Sequence, residues 1–204
     1  MCLACRRLVE GAGELCEMID SSIVSRALVY AVRAHQNQRR KGTDIPYIVH
    51  PAGAALSLAS VGAGADVVAA GLLHDTVEDT GVTLADLRAD FGPRVAAIVE
   101  ACSEPDKSWP WLRRKQHTID RLRTAPLEVK LVAAADKLDN LRAVRADWAA
   151  IGDAVWERFK QGKELQSWYY REVSASLNAG SHGLAEHPLG RALAAEVAEF
   201  FGNT

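Results

Sequence analysis

The chain has 204 residues, of which 49% are apolar and 25% charged, and its net charge is −2. This length suits one large domain with a real core, in the balance of an ordinary soluble globular protein. The near-neutral charge provides no whole-chain field toward nucleic acid or membrane, so an anionic substrate must be gripped by a local basic cluster.

The first residues, "MCLACRRLVEGAGELC", put their arginines after the first apolar residues and carry acids, unlike a secretory signal. No run of 18 apolar residues occurs, so no membrane span is expected. Cys2, Cys5, Cys16 and Cys102 read as free thiols of a reducing, cytoplasmic protein. Cys2-x-x-Cys5 lacks the second pair that a zinc site needs. Residues 1–20 read as an N-terminal extension and 21–204 as one domain.

Strand signals are nearly absent, and helical spacing recurs throughout. Residues 21–38 start at the capping pair Ser21-Ser22 and put Ile23, Ala27, Tyr30, Ala31 and Ala34 on one face. "TDIPYI" is a loop around Pro46. A helix is expected at about 50–60, a break at "VGAGA", and a buried helix over 66–77. Thr83 and Asp86 have capping-box spacing, and Gly92-Pro93 opens a further helix. Residues 103–110 form a polar loop. Helices follow at about 110–123 and 126–147, then in "GDAVWERF", "ELQSWYYREVSASL" and "GRALAAEVAEFF". The sum is a single all-α domain.

Chemistry gathers in "LLHDTVEDT", residues 72–80, where two leucines run into His74-Asp75. Neighbours on a helix point about 100° apart, so both can reach one ion only from a helix end. Imidazole with carboxylate suits zinc, iron or manganese. Two ligands are too few. His50 follows "PYIV" at a helix start, and Asp136 follows Leu131, Val132, Ala133, Ala134 and Ala135, where an acid needs a partner or a cation. His50, His74, Asp75 and Asp136 together are a candidate set for one divalent metal. Helical spacing puts Glu78 over His74 and Asp79 over Asp75, where a carboxylate can orient or deprotonate a water. The basic group Arg39-Arg40-Lys41 precedes His50 and suits phosphate. Asn140, four residues after Asp136, shares its face and can reach a nucleotide. Arg113-Arg114-Lys115 reads as a solvated helix face beside Trp109 and Trp111. "SWYYRE" reads as core packing, with a base-stacking wall as the second option. His35 reads as a hydrogen-bonded structural residue, and His117, His182 and His187 as solvent-facing. Neither a P-loop, a G-x-S-x-G nor a G-x-G-x-x-G is present.

The stretches "AHQNQRRKGTDIPYIVHP", "AAGLLHDTVEDT", "FGPRVAAIV" and "LVAAADKLDNLR" together resemble the HD-domain metal-dependent phosphohydrolases. More narrowly, they resemble the small stand-alone branch of the RelA/SpoT-type alarmone hydrolases. His-Asp alone is weak; H-D followed by V-E-D-T, with R-K-G-x-x-x-P-Y-I-x-H-P upstream, is specific. The resemblance implies an all-α bundle holding one divalent metal, usually manganese(II), on His50, His74, Asp75 and Asp136. It implies that Glu78 and Asp79 activate water and that Arg40, Lys41 and Asn140 bind the nucleotide. The implied reaction takes the 3′-pyrophosphate from (p)ppGpp or an adenosine analogue. With 204 residues there is no room for a synthetase domain, so hydrolysis without synthesis is expected. Asp139 departs from the pattern, which more usually has histidine or tyrosine there, and adds negative charge beside the expected substrate face. The alternatives are another HD activity, such as a monophosphate nucleotidase, and a non-catalytic nucleotide-binding module. The partner is a small nucleotide, with neither nucleic acid nor membrane expected.

Overall fold

A computed structural model describes residues 22–104 and 106–202. The expectations for residues 1–20, including Cys2-x-x-Cys5, lie outside the described residues. Those described form helices joined by loops, with a lone antiparallel bridge between Arg39 and Pro46. Among them, no helix is long and apolar enough to cross a membrane.

Helix α1 (Ile23–Ala34) starts where Ser22 accepts a hydrogen bond from the Ser25 amide, and it buries Ala27 and Ala31. It stops four residues short of the expected end, because the chain turns over the Gln38 amide to His35 carbonyl bond. Helix α2 (Val49–Ser60) and α3 (Ala65–Leu73) flank the expected break. The helix expected over 66–77 is interrupted: α3 ends before His74, and a single turn, α4 (Thr76–Asp79), follows Asp75. Thr76 causes this locally, since its hydroxyl donates to the Leu73 carbonyl at 2.7 Å and competes with the helix ladder.

Helix α5 (Leu84–Cys102) has the predicted Thr83–Asp86 capping box and kinks at Gly92 (φ 86°, ψ 168°), with Pro93 restarting the helix. Helices α6 (Trp111–Thr124) and α7 (Leu127–Ile151) follow. "GDAVWERF" forms a 3₁₀ helix (Gly152–Arg158) instead of an α-helix. Helices α8 (Lys163–Asn178) and α9 (Pro188–Phe201) close the fold.

Helix α7 is the axle, packed against α2, α3, α5, α8 and α9. Its run from Val129 to Ala135 is buried throughout, as is α3 from Val67 to Leu73. That run includes Lys130, which is fully buried. Its ammonium donates to the carbonyls of Arg123, Ser176, Leu177 and Ala179. It thereby adds a donor to the carbonyl ends of α6 and α8, where the Ser176 and Leu177 carbonyls also accept the Ala179 and Leu184 amides.

Candidate active site

Three helices bring the predicted ligands together. His50 sits in the first turn of α2, His74 caps the end of α3, and Asp136 projects from the middle of α7. One ligand atom from each lies within 4.8 Å of the other two. His50 Nε2 is 3.3 Å and His74 Nε2 3.8 Å from Asp136 Oδ1. Asp75 lies alongside, with its Oδ2 3.5 Å from His50 Nε2 and 3.2 Å from His74 Nε2. Tyr47 donates to that same oxygen at 2.7 Å.

Both imidazoles are turned with Nε2 inward. His74 Nδ1 donates to the Gly71 carbonyl at 2.8 Å. This fixes its tautomer and leaves Nε2 buried without a well-directed hydrogen bond. His50 Nδ1 lies 2.7 Å from Asp139 Oδ2, an oxygen that as carboxylate can only accept. Two aimed nitrogens, one of them an orphaned buried atom, among carboxylate oxygens fit a divalent cation.

The electrostatics agree. Burial pulls the His74 pKa down, but Asp75 and Asp136 outweigh it and take it up to about 9. His50 is raised in the same way by Asp136 and Asp139. Burial would lift Asp136, but Lys137, whose ammonium is 2.6 Å away, and the two imidazoles hold it well below the usual carboxylate range. Asp75 is likewise held low by His74 against its burial.

The interruption at His74-Asp75 separates the fates of the second acid pair. Asp79 stays beside Asp75, its amide bonded to the Asp75 carbonyl, with Tyr47 reaching both carboxylates. Glu78 swings toward the loop after α5, where it accepts from the Glu104 amide at 3.2 Å. The expectation that Glu78 lies over His74 does not hold in that simple form. Lys107 spans the pair: its ammonium is 2.6 Å from Asp79 Oδ1, 2.7 Å from the Glu78 carbonyl and 3.8 Å from Glu78 Oε1. Burial, then the like charges of Glu104 and Asp75, raises the Glu78 pKa despite the Glu104 amide and Lys107. Sequence reasoning passed over Lys107 and Tyr47. Lys107 stands in a loop with no periodicity to mark it, and nothing in the spacing of "TDIPYI" links Tyr47 to Asp75.

Arg114 and Lys115 are not a solvated face. Both ion-pair with Glu104, Lys115 at 2.6 Å, and so brace the loop that carries Lys107. Arg113 alone points out, over the Trp109 ring. His35 is buried and bonds Gln38 Oε1 at 2.7 Å; Gln38 in turn donates to the Asp79 carbonyl. It is structural, as expected. His117 is half-buried against Trp109, and His187 caps α9, so only His182 of the three faces solvent.

A cleft of about 660 Å³ adjoins the cluster, lined by Arg40, Lys41, Asn140, Arg158, Phe159 and Tyr169 among others. The three predicted nucleotide-binding residues therefore share one wall. Arg40 is forked between Asp139 (3.1 Å) and the Asn140 side-chain oxygen (3.0 Å). The Asn140 amide donates to Asp136 at 2.6 Å, tying this wall to the ligand cluster. Tyr169 and Tyr170 are buried, as expected for core packing, and also line the cleft. The negative charge expected from Asp139 on the substrate face is instead engaged by His50 and Arg40.

The HD domain family profile matches residues 27–161. The chain belongs to the HD domain family. That HD match spans every residue of the cluster, the acid pair and the Arg40–Asn140 wall. The guanosine-3′,5′-bis(diphosphate) 3′-pyrophosphohydrolases MESH1 of Xenopus tropicalis and Homo sapiens are 40% and 43% identical to it, over 62% and 60% of this chain and 72% and 70% of theirs. The solved structure of lmo0812 from Listeria monocytogenes EGD-e has a TM-score of 0.71 at 41% identity, over 76% of this HD protein and 99% of that chain. A metazoan orthologue of SpoT, described as hydrolysing ppGpp and acting in starvation responses, gives 0.73 at 28% identity, over 89% and 97%.

Proposed function

We propose that this HD-domain protein is a metal-dependent hydrolase of nucleotide alarmones. It removes the 3′-pyrophosphate from guanosine or adenosine tetra- and pentaphosphates, leaving the 5′-di- or triphosphate. The observation that carries this is the Glu78–Asp79 pair, tied by Lys107 and Tyr47 to the edge of the His/Asp cluster. A module that only bound nucleotides would gain nothing from two carboxylates there, whereas hydrolysis needs a proton acceptor. The activity named for the MESH1 relatives supports the same choice.

His50, His74 and Asp136, with Asp75 as fourth ligand, would hold the ion, and their mixture of nitrogen and carboxylate donors favours manganese(II). When bound, a divalent cation supplies Lewis acidity, which offsets phosphate charge and acidifies water. Glu78 accepts the proton of the attacking water, with Asp79 holding that water in line. The water oxygen bonds to the phosphorus nearest the 3′-oxygen, the bond from that phosphorus to the 3′-oxygen breaks, and the 3′-oxygen takes up a proton. Arg40 and Lys41 neutralise the phosphate oxygens, and Tyr169 and Tyr170 offer the base a wall. The free, half-buried thiol of Cys102 and the cysteine content favour a cytoplasmic setting.

The test is pyrophosphate release from ppGpp and ppApp in parallel, using metal-stripped protein with and without manganese(II) and Asp75→Ala as the blank. Manganese-dependent release that is absent from the variant is expected, and it names the base. Release from neither substrate, with phosphate released from nucleoside monophosphates, would replace the alarmone with a nucleotidase activity.

A further inference from the structure

We infer that Asp139 is a positioning residue for the metal ligand His50, in a slot that exists because residue 53 is glycine. The inference rests on the metal assignment above and concerns how this chain holds one of its ligands.

His50 is almost fully buried, and its Nδ1 meets Asp139 Oδ2 at 2.7 Å. The carboxylate oxygen cannot donate, so the proton sits on Nδ1, and Nε2 keeps its lone pair for the cluster. Arg40 binds the same oxygen at 3.1 Å from the cleft side, so the carboxylate cannot turn away without losing two partners. Asn140, the next residue, points its amide at Asp136. Adjacent residues of α7 thus fix two different ligands.

Gly53 lies three residues after His50, on the same side of α2. A Cβ built there would stand 2.1 Å from Asp139 Oδ1 and 3.0 Å from its Cγ. Any side chain at 53 therefore forces the Asp139 carboxylate to shift from its place against His50. The backbone of Gly53 is ordinary helix, so this glycine is required by the approach of Asp139 and not by its dihedral angles. The two positions form one device built from two helices.

The experiment titrates metal-stripped full-length protein with manganese(II) and reads free ion by electron paramagnetic resonance. Metal-free melting temperatures are recorded in parallel. Asp139→Ala should bind manganese about 10- to 100-fold more weakly than wild type, with Asp139→Asn recovering part of the loss through its amide oxygen. Gly53→Ala should reproduce the loss, and the double variant should be no weaker than either single one, because both act through one contact. The melting temperature of the metal-free Asp139→Ala protein should stay near wild type, which a merely structural role would not allow. Should Asp139→Ala fail to fold, Gly53→Ala still decides. Affinities within about twofold of wild type for both variants would overturn the inference. A wild-type protein that binds no divalent ion would instead remove the metal assignment, before any variant is compared.

Discussion

Glu78, the proposed proton acceptor, belongs to α4 and turns its carboxylate toward the loop after α5, against the Glu104 amide. Its substitution by alanine should lower kcat by about 10²- to 10⁴-fold while manganese binding persists, since Glu78 lies outside the ligand set. Asp75→Ala should lose turnover together with the metal. The raised Glu78 pKa gives a directional prediction. As a general base Glu78 is useful only when ionised, so kcat/KM should fall as pH drops through a value above the ordinary glutamate range. Lys107→Met removes the cation that favours the ionised form and should move that acid limb to higher pH. Glu104→Gln removes a like charge and should move it lower. A limb unmoved by both variants would assign the base elsewhere. At this scale His50, His74 and Asp136 were legible because each is a polar group ending an apolar run. Tyr47 and Lys107 were not, because they act across 28 residues or more on partners that no local spacing links to them.

Among the elements, α5 and the α3–α4 junction show what local chemistry does and does not reveal. Gly92-Pro93 announces its kink, since proline cannot continue a ladder and glycine alone tolerates φ 86° with ψ 168°. Gly92→Ala should cost about 1–3 kcal/mol in urea unfolding from that backbone strain, because a Cβ there meets no neighbouring atom, and manganese affinity should be unchanged. The interruption at His74-Asp75 carried no such signal. Both residues keep right-handed helical angles, and the turn depends on Thr76 choosing its own backbone over solvent. A continuous helix was therefore the natural expectation. The interruption is what lets two adjacent residues face one point, the difficulty raised by their 100° separation. "GDAVWERF" was legible as helical but not as 3₁₀, a choice made by the tight turn at Gly152 after α7.

For the molecule as a whole, the all-α class was readable from periodicity, and the apolar run Leu131–Ala135 marked part of α7 as buried without showing that the other helices pack around it. The burial of Lys130 just before that run was not readable, because its partners are backbone carbonyls from α6 and from the end of α8, some 46 to 49 residues away in the latter case. Lys130→Met keeps the volume but removes the ammonium from the Arg123 and Ala179 carbonyls and the second donor from Ser176 and Leu177, so the unfolding free energy should fall by about 3 kcal/mol, with pyrophosphate release retained below the new melting point. The same burial gives the amine a second property. An acylating reagent added to the native protein reaches surface lysines within minutes, while residue 130 is shielded by the bundle on every side. Its modification, followed by mass spectrometry, advances only through molecules that have opened altogether. The fraction acylated at that position over time is then an intrinsic clock for complete opening, readable in a crowded extract without purification.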